Sequence, residues 1–314
     1  MRFFRFLCML LIVITSSCNK DDVITITFDK GFYRPATEQS SAAWNKVFEY
    51  TPAPGQFIGD TKTGGFSGEE QSAADAAAYA ERRLSEGKYV SLGGFGGYII
   101  VGFDHSIDNS VGYDLAIGGN AFEGSSEPGI IWVMQDENGD GEPNDVWYEL
   151  SGSESGSATT LQNYSVTYFR PTQPQQAIKW ADSEGAEGEI DYLSSYHTQD
   201  SYYPQWITAE SYTLTGTRLE ARNYDKSGNG TMWIQPAYDW GYADNFSPVD
   251  HTSDGGNMNL IDIANVKTGA GEDAELEYID FVKIQTAVNT KSGWLGENST
   301  EVTGIYDYRL MRRL

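Results

Sequence analysis

Cysteine is nearly absent from this sequence. Only Cys8 and Cys18 occur in 314 residues, both close to the N-terminus. If the leader is removed, no thiol and no disulfide remains in the folded part, although an extracytoplasmic compartment permits disulfides. This excludes cysteine-protease chemistry and thiolate metal sites. Histidine is equally scarce: His105, His197 and His251 are isolated, and no HExxH or HxH pairing occurs, so zinc hydrolase chemistry finds no ligands. No GxSxG, Walker A or Rossmann fingerprint is present. Basic residues are few, 21 Lys and Arg against 45 Asp and Glu, giving a net charge of −24. A chain this acidic is unsuited to nucleic acid, whose phosphates require Lys and Arg. A hydrophobic run long enough to span a bilayer is also missing, since the longest, Phe6–Ile14, falls far short of ~20 residues.

That short run belongs to a secretory signal peptide. Arg2 and Arg5 precede it, Thr15, Ser16 and Ser17 follow, and Cys18 comes next. The arrangement over residues 1–17 resembles a bacterial lipobox, which implies cleavage before Cys18 and lipidation of that residue. Several acyl chains make a stable anchor. Asn19-Lys-Asp-Asp22 is similar to the surface-export signal of one phylum of gut-dwelling Gram-negative bacteria. The expected location is therefore the outer membrane, lipid-anchored, facing the extracellular medium, with residues 18–22 as anchor and export signal. The remaining chain is large enough to build a core without disulfides.

Residues 23–314 read as one domain of short strands. Twenty Tyr, 8 Trp and 34 Gly accompany few helix-forming stretches. Val23–Phe28, Tyr98–Phe103, Tyr113–Ile117, Ile130–Gln135, Val146–Leu150, Tyr164–Arg170, Tyr212–Thr217, Leu260–Ile263 and Ile279–Thr286 are the predicted strands. Their spacing predicts an all-β protein, a β-sandwich or jelly roll. In the last strand the alternation slips phase at Val282. One helix is predicted near residues 68–86. Ser67-Gly-Glu-Glu70 has capping-box spacing, six alanines follow, and Gly87 can close the helix. Gly93-Gly-Phe-Gly96-Gly97 lacks the Lys of a phosphate loop and marks a close backbone approach.

Two groups of residues suggest a site. Asp136, Asn138, Asp140, Glu142 and Asp145, with Gly141 at the sixth position, begin like a calcium loop, in which hard oxygens converge on Ca²⁺. The pattern departs at the twelfth position, where Trp147 replaces the bidentate Glu. The alternative is an acidic hairpin loop built on Asx turns. A second acidic stretch, Asp239, Asp244, Asp250 and Asp254 with His251, reads as a loop surface. The aromatic runs give His197, Tyr202, Tyr203 and Trp206, and Trp240, Tyr242 and Asn245, as candidate ligand-binding residues. Loop aromatics beside polar groups suit stacking on a planar or sugar-like ligand, whereas the alternative is packing beneath long loops.

Leu92-Gly-Gly-Phe-Gly-Gly-Tyr98, Gly102-Phe-Asp-His105, Glu127-Pro-Gly129, Gln135-Asp-Glu-Asn138, Trp147-Tyr-Glu-Leu150, Trp240-Gly-Tyr-Ala-Asp-Asn245, Ile279-Asp-Phe-Val-Lys283 and Gly293-Trp-Leu-Gly-Glu297 span most of the chain. Together they resemble bacterial "cell surface protein" lipoproteins that accompany TonB-dependent outer-membrane transporters, especially those of cobalamin (vitamin B12) uptake. The resemblance implies a non-catalytic, β-rich protein that binds a cobamide and delivers it to such a transporter. The alternatives are a calcium-dependent glycan-binding lipoprotein of a polysaccharide-uptake system and a calcium-dependent glycoside hydrolase.

Overall fold

A computed structural model describes residues 31–313 apart from 255 and 270. The predicted signal peptide, Cys18 and the predicted strand Val23–Phe28 lie outside the described residues. The fold is mostly β, built of antiparallel sheets. The strands longer than two residues are β1 (Lys46–Thr51), β2 (Tyr98–Asp108), β3 (Leu115–Gly118), β4 (Gly129–Met134), β5 (Trp147–Leu150), β6 (Leu161–Phe169), β7 (Ile178–Asp182), β8 (Glu187–Ile190), β9 (Ser211–Arg218), β10 (Met258–Ile261), β11 (Tyr278–Thr286) and β12 (Gly304–Asp307). No helix among the described residues is long and apolar enough to cross a membrane.

The largest sheet runs β1-β2-β11-β4-β5, ending at the two-residue strand Val266–Lys267. Its central strand, β11, explains the slipped alternation in the sequence. A bulge separates Ile279 from Phe281, and the strand is buried on both faces, so apolar side chains are wanted on either side. Beyond the bulge the pairing forms two rows across three strands, Ile99–Ile284–Ile131 and Val101–Val282–Val133. These rows share one core with Leu115 and Ile117 of β3, Ile261 of β10 and Ile305 of β12. The second sheet, β10-β3-β12 with His251–Thr252 at its edge, therefore packs on the first. Truncating any of these buried isoleucines to alanine costs about 2–5 kcal/mol. The opposite face of β11 carries Lys283, whose ammonium lies 4.5 Å from the Tyr98 ring centroid and 5.7 Å from that of Trp132. Burial pulls the Lys283 pKa down to about 8.

Helix α1 spans Ala73–Ser85 and buries Ala76, Ala77, Tyr79, Ala80 and Leu84 in the main core. It starts later than the sequence predicts, and its cap is a different serine. Ser72 Oγ accepts the Asp75 N–H and donates to the Asp75 carboxylate. Ser67 and Glu70 form a separate turn ahead of the helix, where Glu70 accepts the N–H groups of Ser67 and Gly68. The C-terminus ends as expected. Gly87 adopts φ +68°, its N–H donates to Leu84 O, and Lys88 N–H donates to Arg83 O. This satisfies the last carbonyls in a Schellman motif.

The third sheet runs β9-β6-β7-β8 and has its own core of Tyr164, Val166, Tyr168, Ile178, Ile190 and Leu214, capped by Phe95, Tyr202 and Tyr203. Strands β7 and β8 escape sequence detection because they are short, polar and edge-proximal. The glycine run at 93–97 does bring backbones together: a Cβ at Gly93 would strike Ala53 O, and one at Gly97 would strike Leu92 O. There Gly97 O accepts the Thr286 N–H and Gly96 N–H donates to Thr286 O, which ties this run to the central strand.

Candidate ligand-binding cleft and carboxylate centre

A cleft of about 450 Å³ opens at the β7–β8 edge of the third sheet. Its volume falls within the roughly 300–1,000 Å³ typical of small-ligand sites. Trp180 on β7 pairs with Gly188 on β8, and the glycine leaves the space that the indole ring occupies. Lys179 and Lys291 line it together with Glu187 and Glu189, and Lys291 is held by Asp191 at 2.6 Å. Asn289 lines the opposite wall and donates its amide to Tyr164 Oη. Glu297 also lines the cleft. It is buried, Oε1 accepts the Gln56 N–H at 2.7 Å, and Oε2 has no hydrogen-bond partner. Burial pushes its pKa up to about 8, so it carries a proton at neutral pH. Tyr196 and Trp294 expose a ring pair with centroids 5.9 Å apart, on the loops that follow β8 and Lys291.

The aromatic residues singled out in the sequence lie outside the lining of this cleft. Tyr202 and Tyr203 are buried in the third-sheet core. The Tyr202 hydroxyl donates to His197 O and accepts the Leu193 N–H, and Tyr203 donates to Ala209 O. His197 Nδ1 is 2.7 Å from Asp60 Oδ2. Trp206 packs edge-on to Phe66, with centroids 4.6 Å apart, against the main core. Tyr242 is buried in a different cluster, with Ile130, Leu219 and Tyr238, and accepts the Glu154 N–H. Asn245 is fully buried and bridges both backbone groups of Tyr238. The structure thus places Trp206, Tyr202 with Tyr203, and Tyr242 in three separate cores, and Tyr202, Tyr242 and Asn245 are fully buried. Trp240 and Tyr203 each line a further cleft of about 310 Å³, Trp240 with Asp250 and Tyr113 and Tyr203 with Gln199 and Asp200. His105 is buried between Asp104 and Asp307, at 2.6 and 3.0 Å, which shuts it off from any bound ligand.

The 136–145 loop uses its oxygens on its own backbone. Asp136 accepts the N–H groups of Gly139 and Gly141, Asn138 that of Asp140, Asp140 that of Glu142, and Asp145 that of Glu137. These are the Asx turns of the alternative reading. Among the described residues, the group of His, Cys, Asp or Glu whose ligand atoms lie within 4.8 Å of one another is Glu127, Asp244 and Glu301.

This carboxylate centre joins three separate segments. Glu127 precedes β4, Asp244 sits in the Trp240–Asn245 run, and Glu301 belongs to a two-residue strand paired with Val90–Ser91. Glu127 Oε1 accepts from Gln235, Asn298 and the Ser299 N–H. Asp244 Oδ1 accepts the N–H groups of Asn120 and Ala121, and Oδ2 that of Glu301. Glu301 Oε1 accepts the Ser299 hydroxyl, while Oε2 is buried without a partner. Burial raises the pKa of all three, reinforced in Asp244, which reaches about 8, and in Glu301 by the neighbouring carboxylates. The acidic stretch at 239–254, expected to be a loop surface, is therefore partly interior: Asp244 and Asp250 are buried and bonded to backbone. No protein-family model and no curated protein matches this chain.

Lys179, Trp180, Asn289, Glu297, Glu127 and Glu301 are the residues that sequence reading missed as site residues. A lone glycine in the polar segment Glu187–Ile190 was the available signal for Trp180, since glycine inside a strand marks a close approach. Nothing in the sequence signalled that Glu127, Asp244 and Glu301 meet.

Proposed function

We propose that this chain is a surface-exposed lipoprotein that captures a cobamide and delivers it to a TonB-dependent outer-membrane transporter, using the Trp180 cleft as the binding site. The lipobox-like leader and the broad sequence resemblance support the location and the ligand class. The observation that carries the reading is the cleft itself: an indole ring on a glycine floor, flanked by two lysines and an amide. Such a set matches a ligand with a flat heteroaromatic base and a phosphodiester, as in the nucleotide arm of a cobamide. The base stacks on Trp180, and Lys291 faces the phosphate. The cleft is sized for that arm, and the corrin ring would rest at its mouth. This reading assigns the protein binding without catalysis.

Calorimetry with cyanocobalamin on the detergent-solubilised full chain tests it. Micromolar binding is expected, weakened about tenfold or more in Trp180→Ala, the loss of one stacking contact of about 1–1.5 kcal/mol plus its buried area. Absence of heat at micromolar concentrations discards the cobamide. A glycan is the second reading, favoured by the exposed Tyr196–Trp294 pair, because adjacent exposed rings suit sugar stacking. A polysaccharide screen with Trp294→Ala as control separates the two. Turnover of a glycoside panel that survives repurification would replace both with a hydrolase.

A further inference from the structure

We propose that Glu127, Asp244 and Glu301 hold one divalent cation, calcium by its size and donor set, at the junction of three chain segments, independently of the ligand in the cleft. Calcium takes oxygen ligands at about 2.3–2.6 Å, so opposite ligands on its coordination sphere lie about 4.6–5.2 Å apart. The three carboxylates bring one oxygen each within 4.8 Å of the others, which fits that sphere. Glu301 Oε2 is the second observation. That oxygen is fully buried and meets no N–H or ammonium donor among the described residues, on a side chain only 1 % exposed whose carboxyl lies within hydrogen-bonding reach of the Glu127 carboxyl. A buried carboxylate oxygen left so costs free energy unless something positive meets it.

Nothing positive among the described residues does. None of the ion pairs among the described residues involves Glu127, Asp244 or Glu301. At the same time an outer shell is complete. The amides of Gln235 and Asn298, the Ser299 hydroxyl, and the backbone N–H groups of Asn120, Ala121, Ser299 and Glu301 hold the carboxylates from outside, as outer-shell donors orient metal ligands. Magnesium retains several waters and is rarely caged by protein alone, and zinc prefers nitrogen or sulfur, neither of which is present. A cation here clamps the loop before β4, the Trp240–Asn245 run and the segment that carries Glu297 to the cleft.

The competing arrangement places protons where the cation would be, with Glu301 donating to Glu127. Calcium titration of the chelator-treated full chain in detergent distinguishes them. One calcium bound at the centre, with a raised melting temperature, is expected, and Glu301→Gln should bind at least ~100-fold more weakly. Glutamine mimics a protonated carboxyl, so this variant keeps its fold on either arrangement. The double variant Asp140→Asn/Glu142→Gln, whose sites are exposed on the 136–145 loop, should retain the bound calcium when assayed by elemental analysis. Three results overturn the proposal: no calcium bound by the parent chain at millimolar concentration, undiminished binding in Glu301→Gln, or loss of the only bound calcium in the loop variant. Equal binding and equal stabilisation by Mg²⁺ would overturn the assignment of calcium.

Discussion

Trp180 and Gly188 face each other across the β7–β8 ladder, and the indole occupies the space that a Cβ on Gly188 would need. Glycine in a strand interior costs stability, so its presence at this position is explained by the ring it accommodates. Replacing Gly188 with valine should tilt the ring off the sheet and weaken ligand binding about tenfold in calorimetry. Because β8 is an edge strand, the melting temperature should move by only a few degrees, on the order of ±1 kcal/mol. Unchanged affinity in Gly188→Val would remove Trp180 from the site.

Glu297 predicts a pH dependence whose sign is fixed by its burial. Its pKa is 4.5 in the unfolded chain and about 8 in the fold, so the folded state binds the extra proton between those values. Its contribution is fully present below about pH 4.5 and is lost as pH rises through about 8, with a slope approaching ~1.4 kcal/mol per pH unit in between. Glu297→Gln, which keeps the neutral shape, should flatten this part of the profile. Urea unfolding at several pH values between 5 and 8, in chelator and compared with the parent chain, measures it. An unaltered slope would show that the carboxyl is ionised in the fold.

Ser72, and not Ser67, caps α1. Ser72→Ala should cost about 1 kcal/mol in denaturant unfolding, the usual value of a lost N-cap. Ser67→Ala should cost less, because the Ser67 backbone N–H still donates to Glu70 after the hydroxyl is gone. Equal losses in the two variants would place the helix start where the capping-box pattern first suggests it.

His105 predicts a fourth effect. Burial lowers its pKa, but the hydrogen bonds it donates to Asp307 and Asp104, with their negative charge, outweigh it and hold the imidazole above its ordinary value of 6.5. The stability it contributes is present in full below pH 6.5 and fades as pH rises through the folded value. His105→Asn should lose on the order of 1–3 kcal/mol at pH 6, since two carboxylates lose a cationic partner, and less at pH 9. Proton NMR of the imidazole should show the raised titration directly.

Fold class was legible in the sequence because strand periodicity and turn residues are local properties. The buried rows of β2, β4 and β11 appear as apolar alternations, and the end of α1 appears as Gly87. The 136–145 spacing is also local, and in this structure its side chains form Asx turns, in which each bonds a backbone N–H a few residues away. The candidate site was not legible. Tyr202, Tyr242 and Asn245 look like ligand residues because aromatic and amide side chains in turn-rich runs resemble a binding loop. A buried tyrosine with a satisfied hydroxyl has the same local sequence as an exposed one.

By itself the sequence determined an acidic, thiol-poor β protein with one capped helix and a lipobox-like leader, since charge, cysteine count and periodicity need no partner far along the chain. Only the tertiary structure decided which residues meet. Glu127, Asp244 and Glu301 are separated by 117 and 57 positions, and Trp180 and Glu297 by a similar 117. Strand pairing and two-sided burial bring such residues together, and these arise from the packing of whole sheets. The same packing removes water from the carboxylates and raises their pKa, which turns ordinary acidic residues into a centre that requires protons or a cation.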